Sequence, residues 1–163
     1  QGEELGLFEV ADLADADVQD PIWVRSDFKT RGRDGCRVPL PWEANATSFG
    51  FSPTQPHLPQ PAWFQQMAAD VQEHDPASML SHYRQALHLR RELQCEERLE
   101  WGPLTSATVL DLNRPNGWRC ITNFGDGPVA LPALPVILAS ASILDGCLPG
   151  NASVWLQGAS ASA

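Results

Sequence analysis

Arg33-Asp34-Gly35-Cys36-Arg37-Val38-Pro39-Leu40-Pro41-Trp42 is the stretch on which the reading of this chain turns. It shows neither a helical period nor an alternation. Charged side chains, a glycine and two prolines crowd into it, the composition of a shaped loop. Its surroundings are equally aperiodic from residue 1 to about 60. Acids gather at Asp12, Asp15, Asp17 and Asp20, and bases at Arg25, Lys29, Arg31, Arg33 and Arg37. Prolines recur at Pro39, Pro41, Pro53, Pro56, Pro59 and Pro61. A structureless loop of that length is uncommon inside a compact domain unless it is functional. Trp23, Trp42, Phe49 and Phe51 argue against disorder, because disordered segments are poor in aromatics. The expectation is an ordered loop lying over a larger body.

Downstream the pattern changes twice. A short helix is expected from about Pro61 to Gln72. A longer one follows, with Asp75 as its N-cap and Pro76 at the first helical position, where a missing N–H costs little. Met79, Leu80, Tyr83, Ala86, Leu87 and Leu93 recur at three- and four-residue spacings, which predicts one buried stripe. From about Ser106 the signal becomes β. Thr108, Leu110 and Leu112 alternate with Val109 and Asp111, and Asn113-Arg114-Pro115-Asn116-Gly117 supplies a tight turn. Further strands are expected at Trp118 to Phe124, Val129 to Leu131, Val136–Ala139 and Ser153–Leu156. Gly125-Asp126-Gly127, Asp145-Gly146 and Pro149-Gly150 form the turns. Short strands at this spacing predict a small antiparallel sandwich. The small residues from Gly158 to Ala163 read as a frayed tail.

Composition narrows the function classes. Of 163 residues, 43% are hydrophobic and 19% charged, a globular balance. A net charge of −9 repels phosphate backbones and anionic lipid, so neither nucleic-acid nor membrane binding is expected. A neutral ligand such as a sugar meets no such penalty. No apolar run is long enough to span a bilayer. Cys36, Cys95, Cys120 and Cys147 form no C-x-x-C pair, and reduced thiols in a cytoplasmic setting are expected over disulfides. The chain opens without an initiator Met on Gln1-Gly2-Glu3-Glu4-Leu5-Gly6-Leu7, which reads as the inside of a domain and hence as a fragment.

These residues resemble a known family. The opening heptad is similar to the end of the eighth barrel strand in the α-amylase superfamily of glycoside hydrolases. Arg33 to Trp42 resembles the R-D-x-x-R-x-P-x-x-W signature of its α-glucosidase, oligo-1,6-glucosidase and trehalose-synthase branch. Tyr83-Arg84-Gln85-Ala86-Leu87-His88-Leu89-Arg90-Arg91 is similar to the last barrel helix, and the strands with Asn123-Phe124 to the C-terminal β-domain. The resemblance implies an α+β fragment: residues 1–95 as the end of a (β/α)₈ barrel, with the last strand end, long rim loop and last helix. Residues 104–157 follow as a small antiparallel β-sandwich, and 158–163 as a tail. It implies retaining hydrolysis of an α-glucosidic bond in an oligosaccharide, by an aspartate nucleophile and a glutamate acid/base about 5 Å apart. In the family these carboxylates lie on earlier strands, so no catalytic residue is expected in this chain. Within it, the resemblance assigns Arg37 to the innermost sugar subsite. A planar guanidinium suits adjacent hydroxyls or a carboxylate that holds the sugar. Arg33 and Asp34 are expected to brace the loop as a charge pair, with Trp42 packed beneath.

Other candidates carry less. Glu3 and Glu4 would sit at a strand end, where rim hydrogen bonding is expected rather than catalysis. The acidic run Asp12 to Asp20 lacks the calcium-loop spacing and reads as a solvated face. His57, His74, His82 and His88 show no metal-ligand arrangement. Trp101, Trp118 and Trp155 are expected to fill a core rather than to stack on sugar. No metal or cofactor is implied. A transglycosylating relative such as trehalose synthase, or a non-catalytic carbohydrate-binding or structural β-domain, are the competing functions.

Overall fold

The computed structural model describes residues 1–158. The chain divides into two compact units, Gln1–Arg84 and the residues from Gln85 onward.

The first unit is loop built around short helical turns. Helices α1 (Ile22–Arg25), α2 (Phe64–Met67) and α3 (Ala69–Glu73) are joined by 3₁₀ turns at Glu3–Leu5, Asp15–Asp17, Asp34–Cys36 and Thr47–Gly50. Val10, Leu13, Val38, Leu58 and Phe64 form its core, with Leu7, Phe49 and Trp63 packed against them. The loop is ordered because its apolar side chains converge, although of the four aromatics that predict order only Phe49 joins this core and Trp42 and Phe51 are exposed. Burial alone would leave polar backbone unpaired, and buried polar side chains answer for it. The Gln72 amide donates to the carbonyl oxygens of Leu5 and Met67 and accepts from Leu80 N–H. One side chain thus joins the opening turn, α2 and the start of the long helix.

The expected helix over Pro61–Gln72 is two pieces, broken at Ala68, whose ψ of 147° is extended. The amides of Ala69 and Asp70 donate to the carbonyl oxygens of Pro41 and Trp42, at 3.1 Å each. Those bonds to the preceding loop replace helical ones. The long helix α4 (Met79–Glu92) is present and runs through the division between the units. Its cap is Ser78 instead of Asp75: Ser78 Oγ accepts from Ser81 N–H at 3.1 Å. Asp75 instead accepts from Ala77 N–H, shaping the Pro76 turn. The predicted stripe is not buried: Met79 and Leu87 are exposed and no residue of α4 is fully buried.

The second unit is antiparallel throughout. Strands β1 (Glu100–Trp101), β2 (Val109–Asn113), β3 (Trp118–Asn123), β4 (Val129–Ala130), β5 (Val136–Ala139), β6 (Cys147–Leu148) and β7 (Ala152–Gln157) make a five-stranded sheet, β1-β2-β3-β7-β5, and a two-stranded β4-β6 ladder. Gly117, at φ +83°, closes the β2–β3 turn as expected. Val109, Ile121, Ala152, Val154 and Leu156 lie on one face and share a core with Leu148 and Val129 of the small ladder.

That face also buries Asp111, fully enclosed, and Arg119 grips it through Nε and Nη2 at 2.8 and 2.7 Å. Leu104 N–H donates to the same carboxylate at 3.0 Å. The tryptophans do not fill this core. Trp101 is 70% exposed on the edge strand, and Trp118 and Trp155 meet edge to face at 4.9 Å, both half-buried. Gly158 is tied by its N–H to Gly117, while the rest of the expected tail, 159–163, lies outside the described residues.

Candidate functional site

Arg37 follows the 3₁₀ turn Asp34–Cys36 and projects a half-exposed side chain. Its Nη1 donates to Asp20 Oδ2 at 3.2 Å. Asp20 also accepts from Ile22 N–H through Oδ1 and from Arg33 N–H through Oδ2, each at 3.1 Å. The Ile22 and Arg33 amides, with the Arg37 guanidinium added, hold the Asp20 carboxyl below its ordinary value of 3.8. An ionised acceptor gathering three donors fixes the geometry of its surroundings.

Asp34 is buried, and both of its bonds reach backbone: the amides of Gln19 and Asp20 donate to Oδ2 at 2.6 and 2.7 Å. Among the described residues no ion pair joins it to Arg33, so the expected charge pair is corrected. The Arg33 side chain is not what holds the loop; its main-chain N–H is. A buried carboxylate needs several donors close at hand, and two consecutive amides meet that need without ordering a long side chain.

Trp42 is also corrected. It is 52% exposed instead of packed beneath the loop, and its main chain is what is anchored. Its N–H donates to Phe49 at 2.8 Å, and its carbonyl oxygen accepts from Asp70 N–H at 3.1 Å. Next door, the Asp70 carboxylate accepts from Ala44 N–H.

The remaining candidates separate. Glu3 accepts from Tyr83 O–H at 2.6 Å, and that bond, foremost, raises the Tyr83 phenol above its ordinary 10.0. Asp15 pairs with Arg31, whose guanidinium also lies 5.4 Å over the Trp23 ring. His88 lies 3.2 Å from Glu92 one turn along α4. Among the described residues no group of three His, Cys, Asp or Glu could hold a metal ion. All four cysteines are free thiols, and burial pushes the Cys120 thiol up from 9.0. Sequence patterning missed Asp20 as a site residue, because it sits among acids that read as a solvated face. Its one local signal was the following proline, a turn mark.

Chemically, the loop presents a charged, multi-donor group held from behind by a carboxylate. Comparisons with known proteins give the family. The α-amylase catalytic-domain family model matches residues 1–98. A curated protein of Rhizobium meliloti (strain 1021), described as a probable alpha-glucosidase, is 48% identical over 93 residues, 56% of this chain and 16% of that protein. The solved alpha-glucosyl transfer enzyme XgtA is 34% identical, with a TM-score of 0.77 over 97% of this chain and 32% of its own. The isomaltulose synthase of Klebsiella sp. LX3 gives 0.75 at 19% identity, over 96% of this chain and 34% of that one. At that identity the likeness concerns fold alone. The chain therefore spans about a third or less of the length of these relatives. The family model over residues 1–98, the sequence identities and the fold agree: the chain belongs to the α-amylase family of glycoside hydrolases.

Proposed function

We propose that this chain is the C-terminal part of an α-glucosidase-like enzyme that hydrolyses α-glucosidic bonds of maltose- or isomaltose-type oligosaccharides with retention. In this reading residues 1–95 are the end of a (β/α)₈ barrel, and 104–157 a C-terminal β-sandwich. The carboxylates that break the bond are supplied from outside the chain, and a cytoplasmic setting belongs to the same proposal. Membership of the family supports the reaction class. The exposed apolar positions of α4, Met79 and Leu87, support a missing packing surface such as a barrel wall.

The observation that carries the proposal is Arg37, half-exposed on the signature loop and fixed by one carboxylate. Five N–H groups in one plane match the paired hydroxyls of a pyranose. Arg37 binds the sugar and does no bond chemistry. Replacing Arg37 by Ala in the complete enzyme should raise KM for p-nitrophenyl α-glucoside by about tenfold or more, the worth of a charge-assisted hydrogen bond. An unchanged KM counts against the assignment. A transglycosylating activity is the second reading, favoured by the likeness to an enzyme named for α-glucosyl transfer. Product analysis with maltose separates the two, since transfer yields longer or rearranged saccharides and hydrolysis yields glucose.

A further inference from the structure

Asp20 lies thirteen residues before Arg33 in the chain, yet its carboxylate is where three segments meet. Oδ1 accepts from Ile22 at the start of α1, and Oδ2 accepts from Arg33 N–H and Arg37 Nη1. Asp20 is itself held, because its N–H donates to the buried Asp34 carboxylate at 2.7 Å. The approach is close. A Cβ at Gly32, whose φ is +76°, would lie 2.4 Å from Asp20 Cγ, so only glycine lets this stretch pass. The Asp20 side chain is 15% exposed and that of Arg37 51%, so the pair has one fixed end and one end facing solvent. The guanidinium makes no other hydrogen bond among the described residues, and most of its donors are open.

A long cationic side chain loses considerable rotamer freedom when it binds a ligand. A carboxylate that orders it beforehand removes part of that cost. We propose that Asp20 is the positioning residue of the Arg37 subsite: it aims the guanidinium at a polyhydroxylated ligand, and Asp34 in turn sets Asp20. The inference rests on the reading of Arg37 as a sugar-binding group, and it adds a residue that acts only through Arg37.

A double-mutant cycle in the complete enzyme tests it, with p-nitrophenyl α-glucoside as substrate. Asp20→Asn keeps the size of the side chain but cannot accept from all three donors. It should raise KM about tenfold with kcat within about twofold, and add less than about twofold in an Arg37→Ala background. If Arg37→Ala raises KM and Asp20→Asn then adds its full effect on top, the positioning role is overturned while the Arg37 subsite stands. If Arg37→Ala leaves KM unchanged, the subsite itself falls and the positioning role with it. Should Asp20→Asn fail to fold, nitrogen-resolved NMR of arginine side chains in the native protein gives the answer. Restricted guanidinium rotation for Arg37 beside free averaging for Arg33 supports the inference, and equal averaging of both overturns it.

Discussion

Asp34 and Asp20 play different parts in one loop, and burial assigns the parts. Asp34 is enclosed and takes backbone donors only, so it shapes the chain. Asp20 is reached from one side by backbone and from the other by Arg37, so it passes that shape to a side chain. The acid response follows from these contacts. Because the folded protein holds the Asp20 carboxyl below 3.8, folding favours its ionised form. The stability it contributes is fully present above the unfolded value and is lost as pH falls through the lower folded value. Thermal melts should therefore show Asp20→Asn less stable than the native chain near neutral pH, with the gap closing in strong acid. A gap that persists undiminished in strong acid contradicts this. Of these residues, Arg37 was legible because its spacing to Trp42 matches a family signature. Asp20 was not, because its hydrogen bonds to Arg33 and Arg37 form across thirteen and seventeen residues, and the proline after it marks only a turn.

At the scale of elements, the long helix was legible and its start was not. Periodicity fixes which residues are helical, but a cap is chosen by which oxygen reaches the first turn. Asp75 and Ser78 are both good candidates by type, and Ser78 wins because its hydroxyl also donates to the Gln72 carbonyl oxygen at 2.8 Å. Ser78→Ala should destabilise the protein by about 1–2 kcal/mol. Urea denaturation checks this, and an unchanged midpoint refutes the cap. In the sheet, alternation over Thr108–Leu112 gave the strand. It could not reveal that Asp111 faces inward, since the partner that makes this tolerable comes from the next strand. Arg119→Ala leaves that carboxylate buried with its charge uncompensated, and it should cost about 3–5 kcal/mol. Equilibrium unfolding of the variant measures it, and a loss well under 1 kcal/mol would show that the pair is dispensable.

For the whole molecule, the antiparallel second unit and the ordered first unit were both expected from turn spacing and aromatic content. Burial on α4 was not. A periodic apolar stripe states that a helix has an inward face without stating what covers it. Met79 and Leu87 remain exposed among the described residues. The same gap explains Trp101, Trp118 and Trp155, whose size suggested a core that smaller aliphatic residues occupy instead. On the proposed reading, both the cover for α4 and the reactive carboxylates belong to a barrel that this chain completes. The direct test is to incubate the purified 163-residue chain with p-nitrophenyl α-glucoside and follow nitrophenol release. No release above the uncatalysed rate is expected. Steady turnover that vanishes on Arg37→Ala would contradict it, by showing that the chain holds its own bond-breaking groups.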